Sequence, residues 1–187
     1  YSDNYIETAE LISYAVKGFR DGGVFCSLKH FPGHGDTADD SHNGSVYSYR
    51  TADNLRINEY IAFSEGIAAG ADMVMVGHIT VPDLDSVPAS LSRNIIMNEL
   101  RGLLGFDGVV ITDSLEMRAV SEVYGNAELA VMAVEAGNDI LLTPESLEEA
   151  VAGIENAVSE GRISEERINE SVKRIVELKS KKMEIKK

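Results

Sequence analysis

The stretch "GVVITDS", residues 108–114, decides how the chain folds. Its β-branched residues favour a strand, and an uninterrupted apolar run is typical of a strand that is covered on both faces in a parallel sheet. Asp113 follows this run directly. Because a buried carboxylate without partners is costly, we expect Asp113 to emerge at the end of the strand, either as a reactive group or as the N-cap of a following helix.

Three further stretches have the same character and are separated by segments with helical periodicity. The predicted strands are "VFCSLKHF" (24–31), "ADMVMVGHI" (71–79) and "NDILLT" (138–143). The predicted helices are "ETAELISYAVKGFRDGG", "TADNLRINEYIAFSEGIAAG", "SRNIIMNELRGLLGF", "NAELAVMAVEAG", "SLEEAVAGIENAVSEG" and "SEERINESVKRIVELKSKK". Buried strands joined by helices predict an α/β fold with four β/α units and parallel strands.

Two architectures satisfy this order of strands and helices. One is an open, doubly wound sheet, and the other is part of a (β/α)8 TIM barrel. A complete barrel needs about 250 residues, whereas this chain has 187 residues and four units. Periodicity alone therefore fits either a half barrel or a small open sheet.

Composition narrows the classes of partner. The formal net charge of −14 argues against nucleic acid and anionic membranes, because both attract basic surfaces. No apolar run approaches the roughly 20 residues that cross a bilayer. Cys26 is the one cysteine, so an internal disulfide and a cysteine-based metal cluster are excluded, and we expect this side chain in the core.

Each predicted strand ends in polar residues: Lys29 and His30, then His78, Asp113 and Thr143. The carboxyl ends of parallel strands lie at one edge of the sheet or barrel, and active sites form there. These side chains are therefore predicted to converge. Lys29 at a barrel strand end also leaves open a Schiff-base, aldolase-like chemistry.

The stretch "KHFPGHGDTADDSH", residues 29–42, holds three of the four histidines. Its glycines and proline predict a loop, and such a loop is a candidate site. Asp40 lies two residues before His42, where it can hold the imidazole in one tautomer and raise its basicity, so the pair can move a proton. The alternative is a solvent-exposed histidine in a loop of Asx turns.

Other chemistries fit this loop less well. His30 and His34 have a spacing found in zinc sites on helices, but Pro32 and the neighbouring glycines exclude a helix here. No serine lies in a G-x-S-x-G turn, and neighbouring Asp40, Ser41 and His42 cannot align as a hydrolytic triad. The sequence therefore predicts neither a metal nor a cofactor.

Taken together, these stretches resemble family 3 glycoside hydrolases, in the bacterial β-N-acetylhexosaminidase branch. "KHFPGHGDTADDSH" is similar to the signature of that branch, "GFDGVVITDSLEM" to its nucleophile segment, and "VGHITVPDLDSVPASLS" to the strand and loop between them. The similarity covers nearly the whole chain. It implies a retaining exo-β-N-acetylglucosaminidase acting on cell-wall-type or chitin-type sugars.

The resemblance also implies roles for particular residues. Asp113 matches the nucleophile, His42 the general acid/base and Asp40 its partner. Lys29 and His30 match contacts to sugar hydroxyls. His34, Asp36 and His78 are expected to shape the loop or to hold the substrate-contacting residues in place.

The family's domain is a complete (β/α)8 barrel, and residues 1–187 resemble its second half, strands five to eight. A half barrel leaves sheet edges and an apolar face uncovered, so we expect pairing with the other half or with a second copy. The chain begins with Tyr1, which predicts that the native N-terminus lies upstream. The alternatives are a family 3 β-glycosidase of other specificity, a glycoside phosphorylase and a non-catalytic half barrel.

Overall fold

The computed structural model describes residues 2–34 and 46–181. The strands are β1 (Ser27–Phe31), β2 (Val46–Tyr47), β3 (Met73–Val76), β4 (Ile79–Thr80), β5 (Val109–Ser114) and β6 (Ile140–Leu142). The helices are α1 (Tyr5–Asp21), α2 (Ala52–Ile57), α3 (Glu59–Ala68), a π-helix (Asn94–Leu103), α4 (Arg118–Ser121), α5 (Asn126–Ala136), α6 (Leu147–Ser159) and α7 (Glu165–Lys181), with a 3₁₀ turn at Ala89–Leu91. None of the helices in these described ranges is long and apolar enough to cross a bilayer.

Four strands form a parallel sheet in the order β1-β3-β5-β6, and the short strands β2 and β4 pair separately. In the main sheet Met73 lies beside Val109 and Val76 beside Thr112. Doubly wound sheets reverse their strand order at a switch point, and these four strands follow one another without a reversal. The sheet thus has the order of a barrel segment, and the predicted α/β fold with four parallel units is confirmed.

The two faces of the sheet differ in burial. Val74, Val76 and Val110 are fully buried against the helices, whereas Met73 and Met75, on the opposite face of β3, are only partly covered. The core on the helix side also contains Val16 of α1, Phe63 of α3, Ile96 of the π-helix and, as predicted, Cys26. The more open face is the one that a barrel turns inward.

One predicted helix is divided in two at Asn58, where α2 ends and α3 begins. Asn58 has φ −123° and ψ −86°, outside the helical region. Its side-chain amide donates to the carbonyl of Asn54 at 2.9 Å, the acceptor that its own backbone N–H would use in a continuous helix. Competition of this kind is why asparagine interrupts helices.

The beginnings of two helices agree with the known preference for serine and threonine as capping residues. Thr51 caps α2 by accepting the backbone N–H of Asn54 at 3.2 Å. Ser92, which precedes the π-helix, accepts the N–H of Ile95 at 3.1 Å. The helix that follows is a π-helix rather than the predicted α-helix, and its wider hydrogen bonding is seen where the N–H of Leu104 donates to the carbonyl of Glu99.

At the amino end of β6, Asp139 joins the sheet to helices far apart in the chain. Its carboxylate is fully buried and forms ion pairs with Arg101 of the π-helix at 2.8 Å and Arg174 of α7 at 3.1 Å. It also accepts the N–H of Val110 in β5 at 2.9 Å. This group holds the last helix against the bottom of the sheet, opposite the predicted site.

Candidate active site

The carboxyl ends of β1 and β5 bring His30 and Asp113 together. His30 Nε2 lies 3.5 Å from Asp113 Oδ2, and the two side chains are 24% and 17% exposed. Both are therefore held by their surroundings while remaining open to a ligand. Lys29 precedes His30 on the same strand and is exposed.

His30 reaches Asp113 across the end of β3, which lies between β1 and β5. Gly77 occupies that crossing point, and its N–H donates to the carbonyl of Phe31 at 2.9 Å. A Cβ at position 77 would lie 3.2 Å from the Cβ of His30. The absence of a side chain at Gly77 thus leaves room for the Cβ of His30, from which the imidazole extends toward Asp113.

Asp113 is oriented by its own backbone. Its Oδ1 accepts the N–H of Ser114 at 2.8 Å, which leaves Oδ2 as the oxygen nearest His30. The nearest following helix, α4, begins at Arg118 with Met117 as its N-cap residue. Asp113 is therefore not a helix cap, and the alternative prediction, in which its carboxylate caps the following helix, is wrong.

His78 lies behind the strand end that carries Asp113 and is 1% exposed. Its Nε2 is 2.8 Å from the carbonyl of Ser114, and its Nδ1 is 2.7 Å from Ser90 Oγ. A carbonyl only accepts, so Nε2 carries the hydrogen. Burial lowers the pKa of His78, so the ring is neutral and its Nδ1 accepts the hydroxyl of Ser90. His78 thus fixes the backbone beside Asp113 rather than facing the opening.

The charge of His30 is set by competing effects. Burial lowers the pKa of His30, and the carboxylate of Asp113 offsets this only in part, while Lys29 and His34 add to the lowering. Because an unperturbed histidine titrates near 6.5, His30 is neutral at pH 7. The rings of His30 and His34 meet edge to face, with centroids 5.8 Å apart.

The predicted residues Asp36, Asp40 and His42 lie outside the described residues. Gly33, which precedes these residues, and Arg50, which follows them, both contact Glu59, the first residue of α3. Gly33 (φ +136°) lies against Glu59, where a Cβ would be 2.6 Å from Glu59 Cγ. Arg50 pairs with the same carboxylate at 2.8 Å. One buried side chain thus supports both flanks of the predicted acid/base loop.

The family model described as "Glycosyl hydrolase family 3 N terminal domain" matches residues 1–178. The chain belongs to glycosyl hydrolase family 3. A solved family 3 β-N-acetylglucosaminidase from Paenibacillus sp. str. FPU-7 is 47% identical with a TM-score of 0.89, over 94% of this chain and 34% of that protein. The resemblance inferred from the motifs is thereby confirmed.

Two other relatives show the range of the family. A β-hexosaminidase from Stenotrophomonas maltophilia is 36% identical over 157 residues, which cover 83% of this chain and 47% of that protein. A solved β-glucoside phosphorylase is 27% identical with a TM-score of 0.86, over 91% of this chain and 33% of its own. The chain spans about a third to a half of the length of the curated relatives it matches.

Some residues of this family 3 site were not singled out from the sequence. Gly77 and Ser90 act through their places beside His30 and His78. Both lie within "VGHITVPDLDSVPASLS", but nothing in the sequence pattern marks either of them as a site residue. Ser114 Oγ forms a 2.5 Å hydrogen bond with Thr143 Oγ1, and Thr143 has φ +42°, an uncommon conformation for a β-branched residue. Thr143 itself can be singled out from the sequence, because it is the polar residue that ends its predicted strand.

Within the described ranges, no three His, Cys, Asp or Glu side chains are grouped to hold a metal ion. Asp113, His30 and Lys29 form a different kind of site. It consists of a partly exposed carboxylate, a neutral imidazole next to it and an exposed ammonium on Lys29. Such a set can attack an electrophilic carbon and bind hydroxyl groups around it.

Proposed function

We propose that the chain is the second half of the barrel domain of a retaining exo-β-N-acetylglucosaminidase, which removes terminal β-linked N-acetylglucosamine. The observation that carries this proposal is the setting of Asp113. Its carboxylate lies at the carboxyl end of a barrel strand, partly exposed, with one oxygen held by the N–H of Ser114 and the other 3.5 Å from His30. A nucleophile needs a carboxylate that is fixed and still accessible.

In the first step, Asp113 Oδ2 attacks the anomeric carbon, and the bond to the glycosidic oxygen breaks. His42 donates a proton to that oxygen as it leaves, and Asp40 stabilises the imidazolium in the reactant state. In the second step, His42 removes a proton from water, which displaces Asp113 from the same carbon. Two displacements retain the configuration of the sugar.

The remaining residues bind and orient the terminal sugar in this proposal. Lys29 donates to sugar hydroxyls as an exposed ammonium. His30, neutral at pH 7, offers one N–H and one acceptor nitrogen without competing with the substrate for the charge of Asp113. His78 keeps the backbone of Ser114 in place, and His34 and Asp36 shape the loop.

The names of the relatives support N-acetylglucosamine as the sugar, because the Paenibacillus protein is named a β-N-acetylglucosaminidase and the Stenotrophomonas protein a β-hexosaminidase. The partly covered sheet face with Met73 and Met75 supports pairing with the other half of the barrel. In that arrangement the missing half completes the walls of the sugar pocket, and a second copy is the alternative occupant.

The test is hydrolysis of an aryl β-N-acetylglucosaminide beside the aryl β-glucoside, by the unsubstituted chain and by Asp113→Ala. We expect turnover of the N-acetyl substrate to fall at least about 1,000-fold in Asp113→Ala, because the covalent step is lost. Added azide should restore part of this loss by replacing the carboxylate. Asp107→Asn, an exposed carboxylate at the other end of β5, is the matched control and should leave turnover unchanged.

The products give a second readout. Proton NMR of the first sugar released should show the β anomer, and His42→Ala should slow leaving groups of high pKa more than activated aryl groups. The α anomer, a preference for the glucoside, or full activity of Asp113→Ala would each contradict the proposal.

A second candidate is a glycoside phosphorylase. The similarity to a β-glucoside phosphorylase favours it, as does the histidine acid/base, because an imidazole repels incoming phosphate less than a carboxylate does. Adding inorganic phosphate during turnover distinguishes the two: sugar 1-phosphate would identify the phosphorylase, whereas free sugar alone identifies the hydrolase.

A further inference from the structure

Two tyrosines form an exposed aromatic pair on the segment that follows the predicted acid/base loop. The rings of Tyr47 and Tyr49 are 6.0 Å apart at their centroids and lie within 13° of parallel. Tyr47 is 46% exposed and Tyr49 is 83% exposed. Single exposed aromatic residues are ordinary, but two stacked and exposed rings form a larger apolar patch, and such patches mark binding sites.

The backbone beneath the two rings is fixed. Tyr47 pairs with Thr80 between β2 and β4, and the N–H of Ser48 donates to the carbonyl of Thr80 at 2.9 Å. Val46 and Ser48 are 1% and 5% exposed, so alternate residues face inward while both tyrosines face out. Tyrosine has two side-chain torsions, so holding its ring against a ligand costs little entropy.

The pair lies at the same edge of the molecule as the nucleophile. Strand β4 begins directly after His78, and His78 binds the carbonyl of Ser114, the residue next to Asp113. β2 is paired with β4 in parallel register. Two hydrogen bonds, from Ser48 to Thr80 and from the His78 side chain to Ser114, therefore connect the segment of the tyrosines to that of Asp113 through the backbone of residues 78–80.

We propose that Tyr47 and Tyr49 are a platform for the second sugar of a β-linked oligosaccharide, on the leaving-group side of the bond that is cut. This proposal rests on the proposed function and extends it from a terminal sugar to a chain of sugars. Pyranose rings offer an apolar C–H face to an aromatic ring and hydroxyls to the phenolic oxygen, and tyrosine combines both surfaces.

Charge and order along the chain favour this occupant. A formal net charge of −14 disfavours polyanions, whereas neutral sugars carry no such penalty. Tyr47 follows His42 by five positions, and the group that protonates the glycosidic oxygen must lie on the leaving-group side of the substrate. The segment that continues from His42 is thus the one expected to meet the departing sugar.

The test is calorimetric binding of N-acetylglucosamine and of its β-1,4-linked trimer, triacetylchitotriose, to the full chain carrying Asp113→Asn so that the trimer stays intact. We expect the trimer to bind about tenfold more tightly than the single sugar. Tyr47→Ala and Tyr49→Ala should each weaken trimer binding about 5-fold and leave binding of the single sugar unchanged. Tyr47→Phe and Tyr49→Phe should retain most of the trimer's advantage.

Tyr14→Ala is the matched control, because Tyr14 is 63% exposed on α1; trimer affinity should not change. Equal affinity for monomer and trimer, trimer binding that is insensitive to both alanine substitutions, or no saccharide binding at all would overturn the platform. So would sedimentation in which Tyr49→Ala converts a dimer into a monomer, since the rings would then serve a protein contact.

The trimer of β-1,4-linked glucose separates this proposal from the proposed function. If that trimer binds with the same dependence on Tyr47 and Tyr49 while the N-acetylated trimer does not bind, the platform stands and the N-acetylglucosaminidase fails. If Asp113→Ala abolishes turnover while the tyrosine substitutions leave trimer affinity unchanged, the enzyme stands and the platform fails.

Discussion

At the scale of single residues, the geometry of the candidate site depends on Gly77 as much as on His30 and Asp113. His30 passes over Gly77 to come within 3.5 Å of Asp113, and a Cβ there would lie 3.2 Å from that of His30. That distance is tighter than ordinary packing, so the imidazole has to move by a few tenths of an ångström. Ligand-binding geometry of this kind tolerates such shifts poorly.

We therefore expect Gly77→Ala to lower kcat for the N-acetyl substrate about tenfold, because His30 moves away from Asp113. The pKa of His30 should fall further, since the carboxylate that partly offsets its burial becomes more distant. Turnover and NMR titration of the imidazole measure these two effects.

Gly18→Ala on α1 is the control for Gly77→Ala, because nothing lies within 4 Å of a Cβ there. It should leave both readouts unchanged and add about 0.5–1 kcal/mol to the free energy of unfolding. An unaltered pKa of His30 in Gly77→Ala would show that Gly77 does not set this distance.

At the scale of secondary-structure elements, Asp139 joins the sheet to the helices beneath it. Its buried carboxylate binds Arg101 of the π-helix, Arg174 of α7 and the backbone of β5. Ser171 of α7 also donates to it at 2.5 Å. Removing the negative charge deprives Arg101 and Arg174, whose guanidinium groups repel one another, of the buried carboxylate with which both pair.

Asp139→Asn should lower the free energy of unfolding by about 3–5 kcal/mol, measured by urea denaturation. Amide hydrogen exchange should accelerate first in α7, because this helix loses its main polar contact with the sheet. Glu122→Gln is the comparison: its ion pair with Arg118 is solvent-exposed and should contribute less than about 1 kcal/mol. Similar losses in the two variants would contradict the role of Asp139.

The elements that could be predicted from the sequence are those set by local patterns. Apolar runs located all four strands of the main sheet, and the polar residue after each run located His30, His78 and Asp113 at its edge. The break at Asn58 depends on one side-chain hydrogen bond, and the spacing of apolar residues carries no information about such a bond. The roles of Gly77 and Ser90 depend on β3 lying between β1 and β5, and sequence pattern alone left the strand order open.

At the scale of the whole molecule, the buried His78 makes stability depend on pH. Burial lowers the pKa of His78 in the folded state, whereas the unfolded chain titrates near 6.5. Below that pH the unfolded state binds more protons, so the stability present above pH 6.5 is lost as pH falls toward the folded pKa. Burial of His30 acts in the same direction.

The unfolding free energy of the chain should therefore decline between about pH 7 and pH 5, and His78→Gln should flatten that slope while lowering stability throughout. Urea midpoints at closely spaced pH values test this. Glu128, whose pKa is lowered by Arg162, contributes only at more acidic pH and does not interfere. Parallel slopes for the two proteins would show that His78 titrates alike in the folded and unfolded states.

The strand order β1-β3-β5-β6 also has a consequence for synthesis on the ribosome. Each new strand of the main sheet emerges after the neighbour beside which it will lie, so every pairing closes over a single strand–helix unit at a small entropic cost. His30 and Asp113 can meet as soon as β5 is made, whereas Asp139 must wait for α7. The edge that carries His30 and Asp113 is thus formed while the chain is still growing, and the opposite end of the sheet is fixed last.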